Sequence, residues 1–120
     1  TKMILANSQP TINGDGLQTR DYVYVKDVVR ANLMALSMTQ SDTFNIGTGI
    51  ETNVNEIFQM IQSFGPNIIS EKHGPSKKGE QLRSVLSSKK IYKACTWSPK
   101  VPLKEGLHET VAYFRNQQDL

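Results

Sequence analysis

The residue with the clearest chemical capacity in this sequence is Arg20, in Gly14-Asp15-Gly16-Leu17-Gln18-Thr19-Arg20-Asp21, between a glycine-rich turn and a β-branched stretch. A guanidinium is a planar fork that binds phosphate through two parallel hydrogen bonds. Lys77 or Lys78, in a polar stretch further on, would supply a second charge. Glu80 follows closely. A carboxylate beside a phosphate site is repelled by the phosphate but suited to accepting hydrogen bonds from ribose hydroxyls. The competing reading of Arg20 is an ion pair with Asp15 or Asp21, and residue types alone leave both open.

Other constellations do not reach a chemistry. Gly47-Thr48-Gly49 sits between a strand-like and a helix-like stretch, the setting of a dinucleotide loop, but the third glycine of GxGxxG would fall on Thr52. The acid expected about 20 residues on falls on Glu71, beyond a further element. A plain strand-to-helix turn is the better reading. Tyr22 and Lys26 have YxxxK spacing, whose chemistry needs one helical turn of about 5.4 Å. Val23-Tyr24-Val25 reads as extended, which would separate them by about 13 Å along the chain. His73 and His108 have no partner at metal spacing. Cys95 is the single cysteine, which excludes an internal disulfide and leaves it as a small buried filler. No catalytic residue, metal ligand or cofactor-binding residue is expected in this chain.

The elements that must position Arg20 read as an alternation of strands and helices. Met3 to Leu5 looks like the end of a helix. Pro10 to Asn13 suits a short strand entering the Gly14-Asp15-Gly16 turn. Asp21 to Val25 reads as a strand, and Asp27 lies in the first turn of a helix to about Met38. Thr43 to Ile46 reads as another strand. Asn53 and Glu56 have capping-box spacing, ahead of an apolar face of Ile57, Met60, Ile61 and Phe64 that stops at Gly65-Pro66. Ile68 to Ser70 is expected to be a strand and residues 73–83 a polar loop. Ser87 or Ser88 starts a helix to Cys95. Trp97-Ser98-Pro99 is a turn, and a last helix from Leu103 to about Gln117 buries Leu107, Val111 and Phe114. The class is α/β, a small mixed sheet with helices.

The 120 residues suit one domain, 1–120, and not two. The net charge of +3 conceals a polarity: residues 1–71 carry −3, residues 72–104 carry +8, and the remainder −2. Such a basic band attracts phosphate on a nucleotide, a nucleic acid or a membrane surface, or is simply a solvated lysine face. Aromatic interleaving of the kind that single-strand platforms need is lacking, so no nucleic-acid partner is expected. No apolar run is long enough to span a bilayer, and no secretory leader is recognisable, so no membrane partner and a cytoplasmic setting are expected.

The run Thr11-Ile12-Asn13-Gly14-Asp15-Gly16-Leu17-Gln18-Thr19-Arg20-Asp21-Tyr22-Val23-Tyr24-Val25-Lys26-Asp27-Val28-Val29 resembles a signature of the NAD-dependent nucleotide-sugar epimerases and dehydratases. These belong to the extended short-chain dehydrogenase/reductase superfamily. Phe44 to Gly49, Asn53 to Ile57, Gly79-Glu80, Trp97 to Val101 and Leu103 to Arg115 continue the resemblance through essentially the whole chain. It is nearest to the UDP-glucose 4-epimerase branch.

The resemblance implies the C-terminal substrate-binding portion of a two-domain enzyme, without the N-terminal Rossmann half, its NAD loop and its catalytic Tyr-Lys. The whole enzyme would use NAD to interconvert sugar C4 epimers by hydride transfer through a 4-keto intermediate. This chain would hold no cofactor, bind a UDP-hexose and be inactive alone. By the family pattern, backbone groups around Thr11 and Asn13 meet the uracil, Arg20 the diphosphate with help from Lys77, and Glu80 the ribose. Four positions depart from the pattern: Asn13 replaces an aromatic, Lys77-Lys78 replaces Arg-Pro, Ser87 replaces Asp, and Thr96 replaces Gly. A stand-alone nucleotide-sugar binding protein without catalysis, or a dehydratase or decarboxylase portion, are the alternatives. Val28, Val29, Leu33, Leu36 and the stretch from Phe44 to Gly47 would face the absent half, so the chain is expected to self-associate.

Overall fold

The computed structural model describes residues 1–117. In chain order its elements are α1 (Lys2–Leu5), β1 (Thr11–Asn13), β2 (Thr19–Asp21), α2 (Val25–Ala35), β3 (Glu51–Asn53), α3 (Val54–Ser63), β4 (Lys72–Gly74), α4 (Lys89–Cys95) and α5 (Leu103–Asn116). Parallel and antiparallel pairing are both present, divided between two two-stranded ladders. β1 runs parallel to β4 with Ile12 opposite His73, and β2 runs antiparallel to β3 with Arg20 opposite Thr52.

Local signals set the helices. Asn53 caps α3: its side chain accepts from the Glu56 amide at 2.8 Å, and the Glu56 carboxylate accepts from the Asn53 amide at 3.1 Å. α4 ends on Thr96, a β-branched residue held left-handed at φ 57° and ψ 19°. That is the position where the family resemblance has glycine, and a Cβ there carries strain.

Two apolar clusters lie under these elements. Ile4, Ile12 and Phe58 form one, with Val54, Ile61 and Ile69 against it. Ala31, Ile91 and Trp97 form the other, flanked by Met34, Phe44, Ile46 and Cys95. The second cluster is tied by Asp27, only 2% exposed. Its carboxylate accepts from the Lys100 and Val101 amides at 2.9 and 3.0 Å and pairs with Arg30, while its carbonyl accepts from the Trp97 indole at 3.1 Å. Burial pushes the Asp27 carboxyl up, but Arg30 and the two amides outweigh it, and the group sits below its ordinary range.

The strands differ from expectation. The ladder of β2 covers Thr19–Asp21, and Tyr22 to Tyr24 is an extended connector leading into α2, whose N-cap is Tyr24. Thr43 to Ile46 has no ladder partner among the described residues, although Phe44 and Ile46 pack on the Trp97 cluster. Ile68 is 92% exposed and its neighbourhood is not a strand; pairing with β1 instead selects Lys72–Gly74. On α3 the deepest side chain is Phe58, while Ile57, Met60 and Phe64 are half-buried. β-branched content reports a preference for a pleated, half-buried surface, and a partner strand decides where the ladder forms.

Candidate nucleotide-binding site

β1 buries Ile12 and exposes Thr11 and Asn13, the alternation a strand imposes. Lys72 donates to the Pro10 carbonyl and Gly14 donates to the Gly74 carbonyl. Because main-chain groups also alternate along a parallel strand, the even positions face β4, and Thr11 and Asn13 direct theirs to the opposite edge. There the buried Gln18 side chain donates to the Asn13 carbonyl at 3.1 Å. The turn beyond β1 comes close to the polar loop: His73 Nδ1 is 2.7 Å from the Gly14 carbonyl oxygen, and a Cβ on Gly14 would lie 3.3 Å from Ser76 Cβ.

Arg20 points away from Thr19 and Asp21. Its Nη1 donates to the Thr19 and Gln81 carbonyls, each at 2.7 Å, and its Nη2 lies 3.4 Å from Glu80 Oε1. Both side chains of this pair are partly exposed. Glu80 closes a tight turn in which its amide donates to the Lys77 carbonyl at 3.1 Å, with Gly79 at φ 79°. Lys77 is exposed, and no ion pair among the described residues engages it. The structure thus joins Arg20 to Glu80, sets Lys77 in the same turn, and carries that turn on from β4, which is paired to the strand of Thr11 and Asn13.

Neither acid near Arg20 in sequence is its partner. Asp15 accepts from the Leu17 amide at 2.9 Å. Asp21 accepts from the Thr48 amide and hydroxyl at 2.8 and 2.6 Å, the Gly49 amide at 2.9 Å and the Leu86 amide at 3.2 Å. Burial raises the Asp21 carboxyl, these donors lower it, and the donors prevail.

Residue types and spacing do not place Tyr22, Gln18 or Gln81 in this cluster. Tyr22 stands two residues from Arg20; burial pushes its phenol up while the Arg20 charge pulls the other way. Tyr22 lies just beyond β2, two positions from Arg20, and that spacing is its one sequence signal. Gln81 acts through its carbonyl, which residue type does not announce.

The Gly47–Gly49 loop does not fit an NAD pyrophosphate. The glycine-bearing loop from Gly47 to Gly49 spends its amides on Asp21 and Ser88, so none is offered to a pyrophosphate. No step is assigned to a cofactor in this chain. A concavity of about 630 Å³ between that loop and α4 is lined by Leu86, Tyr92 and Trp97 among others and does not include Arg20. Among the described residues there is no group of three metal-ligating side chains and no helix long and apolar enough to cross a membrane.

A protein-family model described as GDP-mannose 4,6 dehydratase matches residues 1–110. A putative UDP-glucose 4-epimerase of Methanocaldococcus jannaschii is 44% identical over 116 residues, covering 94% of this chain and 36% of the relative. A solved UDP-glucose 4-epimerase of Thermotoga maritima with UDP-glucose superposes with a TM-score of 0.93 at 41% identity, over 98% of this chain and 38% of that one. The UDP-glucuronic acid 4-epimerase of Bacillus cereus, in complex with UDP-glucuronic acid and NAD, gives 0.89 at 27% identity, over 97% and 38%. This chain therefore spans between about a third and two fifths of the length of those relatives, and the α/β arrangement matches their C-terminal portion. By sequence and by fold, the chain belongs to the NAD-dependent epimerase/dehydratase family of the extended short-chain dehydrogenase/reductase superfamily.

Proposed function

We propose that residues 1–120 form one unit that binds the nucleotide part of a UDP-hexose, as the substrate-binding portion of an NAD-dependent 4-epimerase. The convergence of Arg20 and Glu80 from positions 60 residues apart carries this reading. Arg20 is preoriented by two carbonyls on Nη1 and by Glu80 at Nη2, which leaves its Nε–H and the second Nη2 N–H for the diphosphate. Lys77 adds a point charge from the adjoining turn, and Glu80 accepts from the ribose hydroxyls. On the edge of β1 away from β4 the Asn13 carbonyl already accepts from Gln18, and the main-chain groups of Thr11 with the Asn13 amide are offered to the uracil. In this role the chain's own residues bind and orient, and none moves a proton or hydride; the isolated chain has no epimerase turnover.

Calorimetric titration with UDP and with UDP-glucose tests the reading, alongside Arg20→Ala. Saturable binding that the variant loses supports it. A folded chain that binds neither ligand overturns it. A dehydratase or decarboxylase portion is the alternative within the family, favoured by the family model that matches; turnover of the longer protein on a UDP-hexose separates them. A binding protein without catalysis predicts that the same polypeptide, at this length, is what cells accumulate. Cytoplasm is the setting in which the one thiol, Cys95, stays reduced.

The reading extends to a second copy of the chain as partner. Val25, Val29 and Leu33 on α2 and Leu36 at its C-cap are exposed at spacings of four, four and three, and the stretch from Thr43 to Ile46 lies near the same helix without a ladder partner among the described residues. Such a face and edge associate. Sedimentation at high concentration should show a dimer or larger species, reduced by Val29→Lys with Leu33→Lys. A clean monomer for the parent chain rejects this extension.

A further inference from the structure

We propose that Glu51 and Arg83 are a positioning pair that holds the segment bearing Lys77 and Glu80 against Arg20, and so sets the affinity of the nucleotide site without touching the ligand. The inference rests on the UDP-binding reading above and deepens it.

The segment that follows Glu80 runs beside β2 and is fixed by three consecutive residues. The Gln81 carbonyl accepts from Arg20 Nη1 at 2.7 Å, and the Leu82 carbonyl accepts from the Thr19 amide at 2.9 Å. Arg83 then reaches across to Glu51, donating from Nε to Oε1 at 3.0 Å and from Nη2 to Oε2 at 2.5 Å. The hydroxyl of Thr19 donates to the same Oε1 at 2.6 Å. In the β2–β3 ladder Arg20 and Thr52 share one face, and Thr19, Asp21, Glu51 and Asn53 share the other. The segment is therefore gripped from both faces of the β2–β3 ladder, by Arg20 on one face and by the Glu51–Arg83 fork on the other.

Apolar packing does not supply this hold. Leu82, the one large apolar side chain among residues 77–83, is 75% exposed. An isolated surface ion pair contributes little, but here the forked geometry and the Thr19 hydroxyl converge on a carboxylate that is only 22% exposed. The Arg83 fork, with the Thr19 hydroxyl, pulls that carboxyl down to about 2, so Glu51 is charged throughout the neutral range. Releasing the fork frees the segment, and ligand binding must then order it again, which costs affinity. The expected size is that of one exposed charge pair, about threefold to fivefold in UDP affinity.

The test is a double-mutant cycle on the full chain, reading UDP affinity by calorimetry and folding by thermal melting. The variants are Glu51→Gln, Arg83→Gln and the two together, with Arg20→Ala as the reference for the site itself. The positioning role predicts about the same loss in each single variant and no further loss in the double, because either change already opens the fork. Losses that add, with Arg83→Gln much the larger, would mean that Arg83 touches the phosphate directly, and would overturn the positioning role. Unchanged affinity in both singles, while Arg20→Ala abolishes binding, overturns it too and leaves the nucleotide reading standing. If the parent chain does not bind UDP, the reading and this inference fall together.

Discussion

The ring of Tyr24 lies where Gly106 has no side chain. A Cβ on Gly106 would stand 3.0 Å from Tyr24 Cδ2 and 3.2 Å from Tyr24 Cβ and Cγ. Three residues further along α5, Glu109 accepts from the Tyr24 hydroxyl at 2.7 Å and from Lys26 Nζ at 2.8 Å. The contact brings α5 against the entry of α2, and the Tyr24 ring explains a glycine inside a helix.

Gly106→Ala adds about 1 kcal/mol of helix propensity, against an overpacking cost of roughly 1–3 kcal/mol. The net expectation is a loss of about 1 kcal/mol. In a Tyr24→Ala background the crowding is gone, and Gly106→Ala should then stabilise by about 1 kcal/mol. Denaturant titration of the four proteins reads the change of sign.

Thr96→Gly should raise stability. A β-branched residue at φ 57° costs about 1–2 kcal/mol, while glycine's extra freedom in the unfolded chain returns part of that. A net gain of about 0.5–1 kcal/mol is expected, seen as a melting temperature a few degrees higher.

Acid should unfold the chain through carboxylates that the fold keeps ionised. Glu51, pulled to about 2, and Asp27, also below its ordinary range, bind protons more readily when unfolded. Their stabilisation is complete above the unfolded carboxylate range, near pH 4.5 for Glu51, and is lost as pH falls toward 2. Melting temperature should therefore fall between pH 4.5 and 2, with a shallower slope in Glu51→Gln. Asp27→Asn, which leaves Arg30 partly buried and unpaired, should cost about 3 kcal/mol at neutral pH.

Much of this molecule was legible in the order of its residues. Asn53 and Glu56 announce the start of α3, Leu103 to Asn116 announces α5, and Pro10 to Asn13 announces β1, because each signal and its structural answer lie within a few residues. Arg20 could be picked out as a guanidinium beside a glycine turn.

Its partner could not. Asp15 and Asp21 are near in sequence, yet Asp15 bonds the Leu17 amide and Asp21 gathers amides from residues 48, 49 and 86, while Arg20 finds Glu80. The ladders of three residues were likewise displaced from the β-branched stretches, since β4 exists only where β1 lies beside it. The sequence by itself determined the helices, the family and the chemistry of the candidate groups, because these are carried by residue type and short-range spacing. Tertiary structure alone decided strand register, the Arg20–Glu80 junction and the Glu51–Arg83 hold, because each joins residues 30 to 61 positions apart whose meeting depends on the packing of everything between them.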